Sequence, residues 1–482
     1  MLRYLILTLL VITAEAKGFS QTFDLLISNP IDEFAHASVE LADGSFLVNY
    51  CRINPNFIGT PWDCKILNIS NNGIVLKTIS IIIDPNRPLV IEGFFNRNND
   101  IYIYGSVGDS VTKVHKPIFA KLKTDFTIDY SEIYEHIISD GYFEKGIVNK
   151  QGNFVLLGRN YGAWDSFLCE LNLEGDVIRS TGYLNHVFEL TLVEVPDENG
   201  YFLYNQYSVR KYDYTFQEEP VTLPYKDYDF RIFSTKSLTD STHIQSGVFL
   251  RKAVNPFTEN RNNIGYKIVN SQFQVLDSLE FLSPDYNNEI TYYQNPIDFV
   301  SKESIYLSFS KNINPQFGWG MVDMDTWYGL INMKEDGTIN WQKFYGGDAF
   351  YINYAFLATN DGGGLMIGGR WDWRNNPVRD ILIIKVDNEG NYVSTVGVKE
   401  NNLQAKSILI YPNPAQNKLN INIGMYKSLH LKIFSIQGSL VAEQTLQSGI
   451  NSIDVSGFSK GIYTYLIEGE KGFFEKGKFV KE

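Results

Sequence analysis

The chain of 482 residues is 44% hydrophobic, 14% aromatic (32 Phe, 30 Tyr, 7 Trp) and 20% charged. Three cysteines are too few for a disulfide scaffold, and 42 basic against 55 acidic side chains, a net charge of −13, argue against a nucleic-acid or anionic-membrane surface. Aromatic residues fit a pleated, half-buried surface better than a helix, so the composition predicts an all-β protein of two or more domains.

At the N-terminus, Met1-Leu2-Arg3 precedes an apolar run from Tyr4 to Thr13 and the small residues of Ala14-Glu15-Ala16. This is the layout of a secretory signal peptide over residues 1–16, with cleavage expected after Ala16 or nearer Gln21. The run is shorter than the roughly 20 apolar residues a helix needs to cross a bilayer, and no later segment reads as a transmembrane helix. No cysteine precedes Cys51, so a lipid anchor has no acceptor just after the signal. An exported chain is expected, in which disulfides can form.

From Thr22 to Lys399 no 3.6-residue apolar period is sustained, but two pieces recur. Asp63 and Gly73, Asp165 and Gly175, and Asp380 and Gly390 each set an Asp ten residues before a turn Gly, with Trp62 and Trp164 preceding the first two. A turn followed by a strand starts near residues 43, 100, 152, 199, 241, 303 and 361, about 53 residues apart. Seven four-stranded units of this length predict a seven-bladed β-propeller over residues 22–398, with Thr22 to Ser28 as the outer strand of the last blade. The unit from Asn332 to Gly347, followed by Thr359 to Gly363 and Ile367-Gly368-Gly369, resembles repeats of secreted bacterial propellers. That resemblance implies the fold and is silent on activity.

Chemistry is sparse in this region. The histidines His36, His115, His136, His186, His243 and His430 are dispersed, with none at metal-ligand spacing, and no phosphate loop or nucleophile elbow is present. No catalytic residue, metal ligand or cofactor is assigned. Cys51 and Cys64 flank one loop between neighbouring strands and can pair across it, which leaves Cys169 a lone buried thiol. Asp323 and Asp325 are a weak pair for a hard cation and suit a solvated loop better. Six of the seven Trp fall between the second and third strands of a blade, in the company of Arg and Asp. A rim of Trp62, Asp63, Trp164, Asp165, Trp371, Trp373 and Asp380 suits stacking on a sugar or holding an extended partner; packing between blades is the competing reading. Candidate inner strands carry Glu40, Glu92, Glu144, Glu194 and Asp298, at irregular offsets from the repeat starts, which hydrolysis of a glycosidic bond would use. The expected function is binding or adhesion to an extracellular glycan or protein, with a carbohydrate-active enzyme or a structural subunit of a surface assembly as alternatives.

The end of the chain differs in charge. From Gln404 to Glu482 there are nine Lys against six acidic residues, a net of +3 that leaves −16 on residues 1–403. Residues 399–407 read as a linker, and 408–482 as a small immunoglobulin-like β-sandwich of short alternating strands. Within it, Tyr411-Pro412-Asn413-Pro414-Ala415, Gly438, Gly461-Ile462-Tyr463 and the basic end through Lys478 follow one another at the spacing of a known pattern. The segment resembles the C-terminal sorting domain of the type IX secretion system of Bacteroidetes. The resemblance implies an address read by the outer-membrane translocon, often removed after export and sometimes exchanged for attachment to surface lipopolysaccharide. A secreted or surface-attached protein, reached through the periplasm, is therefore expected.

Overall fold

The computed structural model describes residues 21–29, 32–53, 62–109, 111–160, 165–184, 191–205, 208–220, 229–251, 261–281, 289–290, 295–313, 323–376, 378–392, 409–423, 428–435, 439–468 and 474–482. The expected signal peptide and linker lie outside these residues. The chain divides into two compact units, Met1–Ser394 and Thr395–Glu482.

Turn chemistry sets the strand lengths in the first unit. Asn172 Oδ1 accepts from the Glu174 and Asp176 N–H groups at 3.0 and 2.8 Å, and Asp387 Oδ1 accepts from Glu389 and Asn391 at 2.9 and 2.8 Å. These side chains replace the ladder where the backbone reverses. Gly175 and Gly390 follow them at φ of 83° and 72°, a region closed to most other residues.

Between such turns the chain forms antiparallel meanders, and the described residues of the first unit hold seven sheets of four or five strands. The first sheet holds Glu33–Phe34, Ser38–Glu40, Phe46–Ile53, Trp62–Ile69 and Val75–Ile79; the second runs Leu89–Arg97, Asp100–Gly108, His115–Leu122, Ile128–Ile133, and the third Tyr142–Val148, Phe154–Arg159, Ser166–Leu171, Val177–Ser180; the fourth spans Thr191–Val195 to Glu218–Glu219 and the fifth Phe230–Ser237 to Val275–Glu280. In the seventh, Phe350–Ala358, Gly364–Trp371 and Asp380–Val386 are joined by Phe23–Ile27 from the N-terminal end, in a register from Phe23 opposite Lys385 to Ile27 opposite Ile381. The expected outer strand of the last sheet is thus observed. This succession of sheets is a β-propeller fold.

The core lies between sheets. On Phe154–Arg159, Phe154 and Leu156 pack with Tyr102, Tyr104 and Phe119 of the second sheet, while Val155 and Leu157 pack with Leu192, Tyr201 and Leu203 of the fourth. Both faces are buried, so such strands read as continuous apolar runs. The last such cluster joins the seventh sheet to the first through Phe23, Phe46, Ile69, Leu365, Ile367 and Ile383. Buried tyrosines fill the spaces between sheets and place their hydroxyls on the neighbouring sheet's turns. Tyr134 donates to Gly175 O at 2.7 Å, Tyr306 to Gly362 O at 2.6 Å and Tyr345 to Gly390 O at 2.8 Å.

In the second unit, Leu409–Tyr411, Lys418–Asn422 and Ile450–Asp454 form one sheet, and Leu440–Gln447, Ser428–Ser435, Gly461–Glu468 and Phe474–Lys481 another. Leu419, Ile421 and Ile453 of the first share a core with Leu431, Ile433, Tyr463, Ile467 and Phe479 of the second.

Phe23 is 1% exposed and lies where Gly73, in the outer turn of the first sheet, leaves room for its ring. Phe23→Ala is expected to destabilise the first unit by about 3–5 kcal/mol, read from equilibrium denaturation in guanidinium chloride. A loss below 1 kcal/mol would mean that this strand contributes little to joining the two sheets.

Candidate functional site

The innermost strands of several sheets carry one residue too many. The register of Leu89–Arg97 on its neighbour shifts between Ile91 and Gly93, leaving Glu92 as the extra residue; in Tyr142–Val148 it shifts between Phe143 and Lys145, leaving Glu144. Equivalent shifts leave Phe233 and Tyr354 in the fifth and seventh sheets. In the first sheet the strand breaks into Glu33–Phe34 and Ser38–Glu40, with His36 in the gap. A bulge re-aims the side chain it carries.

Across the first three sheets the re-aimed side chains meet. His36 Nε2 lies 3.0 Å from Glu92 Oε2, and the Phe34 ring stacks on the imidazole at 5.2 Å. Asn49 sets both partners: its Oδ1 accepts from the His36 and Ala37 N–H groups at 2.8 and 2.9 Å, and its Nδ2 donates to Ile91 O at 2.9 Å. Glu144 forms a buried ion pair with Arg159. Tyr104 lies close to both carboxylates, with its hydroxyl so near Gly93 that a Cβ there would come within 2.1 Å of it. Burial lifts the Tyr104 phenol far above its usual range, and Glu92 and Glu144 push it further. Burial also lifts the Glu144 carboxyl, against the pull of Arg159 and Lys145. It depresses the Lys145 amine, opposed by Glu144 and reinforced by Arg159.

Lys145 is 8% exposed, and its Nζ has no hydrogen-bond partner among the described residues. Thr235 Oγ1 and both amide atoms of Asn353, on the innermost strands of the fifth and seventh sheets, are buried in the same condition. The centre thus combines carboxylates, a phenol, an imidazole and unused donors and acceptors, a set suited to hydroxyl-rich ligands and to proton transfer. Of these residues, Glu92 and Glu144 were expected from sequence. His36, Tyr104, Lys145 and Arg159 carry no motif, but Glu92 and Glu144 each stand eight residues before a repeat start, at 100 and 152.

The remaining inner carboxylates are engaged in tying sheets together. Glu40 Oε2 accepts from the Asn360 N–H at 2.8 Å, across the seventh and first sheets. Glu194 accepts from the Lys150 N–H through both oxygens, at 3.0 and 2.9 Å, across the third and fourth. Asp298 pairs with Lys236 and accepts from the Ala358 N–H at 2.9 Å.

A second cluster occupies the connection after Gly364–Trp371, at the end of the sheets where innermost strands begin. Trp371 Nε1 donates to Asn376 O at 2.8 Å, and its ring meets Phe350 edge-on at 6.5 Å. The Arg374 guanidinium lies 3.9 Å from the centroid of the Trp373 ring and donates to both oxygens of Asp325 at 2.7 Å each. Arg374 holds the Asp325 carboxyl below its usual range, and Asp323 is exposed. Asp380 is 3% exposed and accepts from Asn376 Nδ2 at 3.1 Å on each oxygen; burial raises its carboxyl against bonds from Ser28 and Asn376.

Trp62 and Asp63 open the strand Trp62–Ile69, opposite Ile53 and Arg52, with side chains outside the described set, and Trp164 lies outside the described residues. Asp165 is half-buried, and its carbonyl accepts from the Asn160 N–H at 3.0 Å. Cys51 and Cys64 are joined by a disulfide, and Cys169 is a buried thiol whose ionisation burial opposes.

In the second unit, Asn413 Oδ1 accepts from the Val480 N–H at 2.9 Å and the Ala415 N–H donates to Val480 O at 2.7 Å, fixing the start of the unit to its last strand. Tyr463 stacks on Phe479 at 5.5 Å and donates to Ser459 O at 2.9 Å; Thr464 pairs with Lys478 in the adjoining ladder. Tyr411 and Gly461 are exposed. Residues 409–482 match the family described as the secretion system C-terminal sorting domain. The C-terminal unit is a sorting domain of the type IX secretion system. The protein is accordingly secreted or attached to the cell surface. No helix among the described residues is long and apolar enough to cross a membrane.

The chain is 26% identical over 141 residues to a funoran endo-beta-hydrolase of Wenyingzhuangia aestuarii, a match covering 29% of this chain and 18% of that protein. Among solved structures, a polysaccharide lyase of family PL25, an ulvan lyase, aligns at 10% identity over 76% of this chain and 97% of its own, with a TM-score of 0.44. The β-propeller domain of the Trilobed protease from Pyrococcus furiosus aligns at 10% identity over 77% of this chain and 100% of its own, with a TM-score of 0.42.

Burial lowers His115 to about 4, against weaker raising effects of Asp140 and Glu92, and lowers His243 to about 3. Both protonate more readily in the unfolded chain, near pH 6.5, so the stability they contribute is complete above that pH and is lost as pH falls towards the folded values. Denaturation at pH 7 and pH 5 is expected to differ by about 2 kcal/mol per histidine. Equal stability at the two pH values would show that these imidazoles are not held neutral.

Proposed function

We propose that the protein binds carbohydrate outside the cell, through a closed ring of seven blades over residues 22–398. A linker at 399–407 joins the ring to an immunoglobulin-like sandwich over 408–482, and residues 1–16 are a signal peptide that starts export. The observation that carries the binding reading is the connection holding Trp371 and Trp373. Its two indoles are half-buried and fixed by Asn376, Arg374 and Asp325 before any ligand arrives. Pre-organised aromatic surface beside charged hydrogen-bonding groups suits the stacking and edge contacts that sugars make. Trp62, Asp63, Trp164 and Asp165 belong to the same rim, and Asp380 supports it from below by holding Asn376.

Hydrolysis of a polysaccharide is the second reading. It is favoured by Glu92 and Glu144, brought to adjoining bulges with His36 and Arg159 as partners, and by the name of the curated relative, a hydrolase. The matched part is under a fifth of that protein's length.

Binding to a glycan array is expected to weaken at least tenfold, or about 1.4 kcal/mol, in Trp371→Ala and in Trp373→Ala. Glu92→Gln is expected to leave that binding intact and, on the second reading, to abolish release of reducing ends from the bound glycan. Array binding that ignores both Trp substitutions would exclude the rim. Deleting residues 404–482 is expected to leave the protein in the periplasm of a host with a working type IX system, scored by cell fractionation.

A further inference from the structure

The polar groups at the centre of the first three sheets are unequally partnered. Glu92 lies within hydrogen-bond distance of His36 from the preceding sheet, and Glu144 pairs with Arg159 from the adjoining strand. Tyr104, close to both carboxylates, carries no charge at neutral pH, and burial holds His115, near Glu92, neutral as well. Lys145 follows Glu144 directly at the bulge; its amine, nine-tenths buried, has no hydrogen-bond partner among the described residues, and the opposite charge acting on it, Glu144, is already paired with Arg159. A buried cation without an acceptor is expensive, and apolar side chains of similar length would fill the same space at lower cost. The amine lacks an acceptor, and an anionic group of a ligand would supply one.

We propose that Lys145 anchors an anion-binding subsite at the bulged inner strands of the second and third sheets, suited to the carboxylate or sulfate group of an acidic sugar. The proposal rests on the carbohydrate reading only for its sugar; the anion preference stands on the unmatched ammonium group. The subsite recognises one charged substituent, and the neighbouring Glu144 carboxylate disfavours an approach by any anion not aligned with the amine. Binding supplies the acceptor that Lys145 lacks, so the amine, held partly neutral by burial, takes up a proton as the anion arrives.

The test is titration calorimetry on the full chain at pH 8, in two buffers of different ionisation enthalpy. The probes are an oligogalacturonate, a neutral galacto-oligosaccharide, sodium acetate and sodium sulfate. The oligogalacturonate is expected to bind with proton uptake, and Lys145→Met to weaken it at least tenfold while removing the uptake. The same substitution is expected to leave the neutral oligosaccharide unaffected. Lys145→Met removes an unmatched buried charge, so it is expected to unfold at a denaturant concentration no lower than the parent chain. Unchanged oligogalacturonate affinity in Lys145→Met, or binding without proton uptake, overturns the subsite. Should no oligosaccharide bind, the carbohydrate reading falls, and Lys145-dependent proton uptake with sulfate or acetate still supports the subsite. Absence of that uptake as well overturns it.

Discussion

A strand buried on both faces needs a sheet on each side of it, and this requirement organises the first unit. Phe154 and Leu156 face one neighbour while Val155 and Leu157 face the other, so no sheet completes its core alone. The demand passes along the chain until the cluster around Phe23, Phe46, Ile69 and Leu365 joins the last sheet to the first. At roughly 25 cal/mol per Å² of apolar surface, leaving one such face open costs more than the marginal stability of a domain. The N-terminal strand therefore contributes beyond its own five residues, because without it the outermost face of Asp380–Val386 has no ladder partner. The single disulfide, closing the short excursion between Cys51 and Cys64, is a local staple by comparison.

The same geometry explains why charge collects at the innermost strands. Outer strands such as Val75–Ile79 and Val177–Ser180 are largely exposed, and the middle strands are filled by aliphatic and aromatic side chains. Polar chemistry is left to the inner edges, where bulges turn Glu92, Glu144 and the His36 segment out of the ladder. Burying these groups is affordable only because each is held: Asn49 fixes His36 and Ile91, and Arg159 answers Glu144. Glu40 and Glu194 use the same residue type differently, capping backbone N–H groups of the adjacent sheet's turns. One kind of side chain thus performs two functions, separated by whether its strand carries the extra residue.

Much of the fold was legible from the sequence because turn signals are local. Asp or Asn followed by Gly at fixed spacing marks a reversal whatever surrounds it, and the strands fall between those reversals. The aromatic excess was equally informative once tyrosine is seen bridging sheets, as Tyr306 and Tyr345 do. Leu440–Gln447 was harder to see: it is an edge strand whose side chains are mostly exposed, so no apolar alternation announces it. The site was less visible still. A bulge is a property of pairing between two strands, and one strand's sequence does not state where its partner gains or loses a residue. Hence the inner carboxylates sat at irregular offsets, although Glu92 and Glu144 shared one. Asp380, expected at a rim, is buried and supports Trp371 through Asn376 instead.

Stability and function pull apart most clearly at Lys145. In the centre Glu92 meets His36 and Glu144 meets Arg159, whereas the Lys145 amine has no acceptor, and a hydrophobic side chain at 145 would remove this buried charge at no loss of packing. Uncompensated burial of this kind is a feature of sites that complete themselves with a ligand, because the binding energy recovered on contact is larger when the free site is unsatisfied. An exported protein meets its ligand only after crossing two membranes, so the chain must fold with the amine still unmatched. The inter-sheet cores, the tyrosine bridges and the carboxylate caps supply the stability that makes this tolerable.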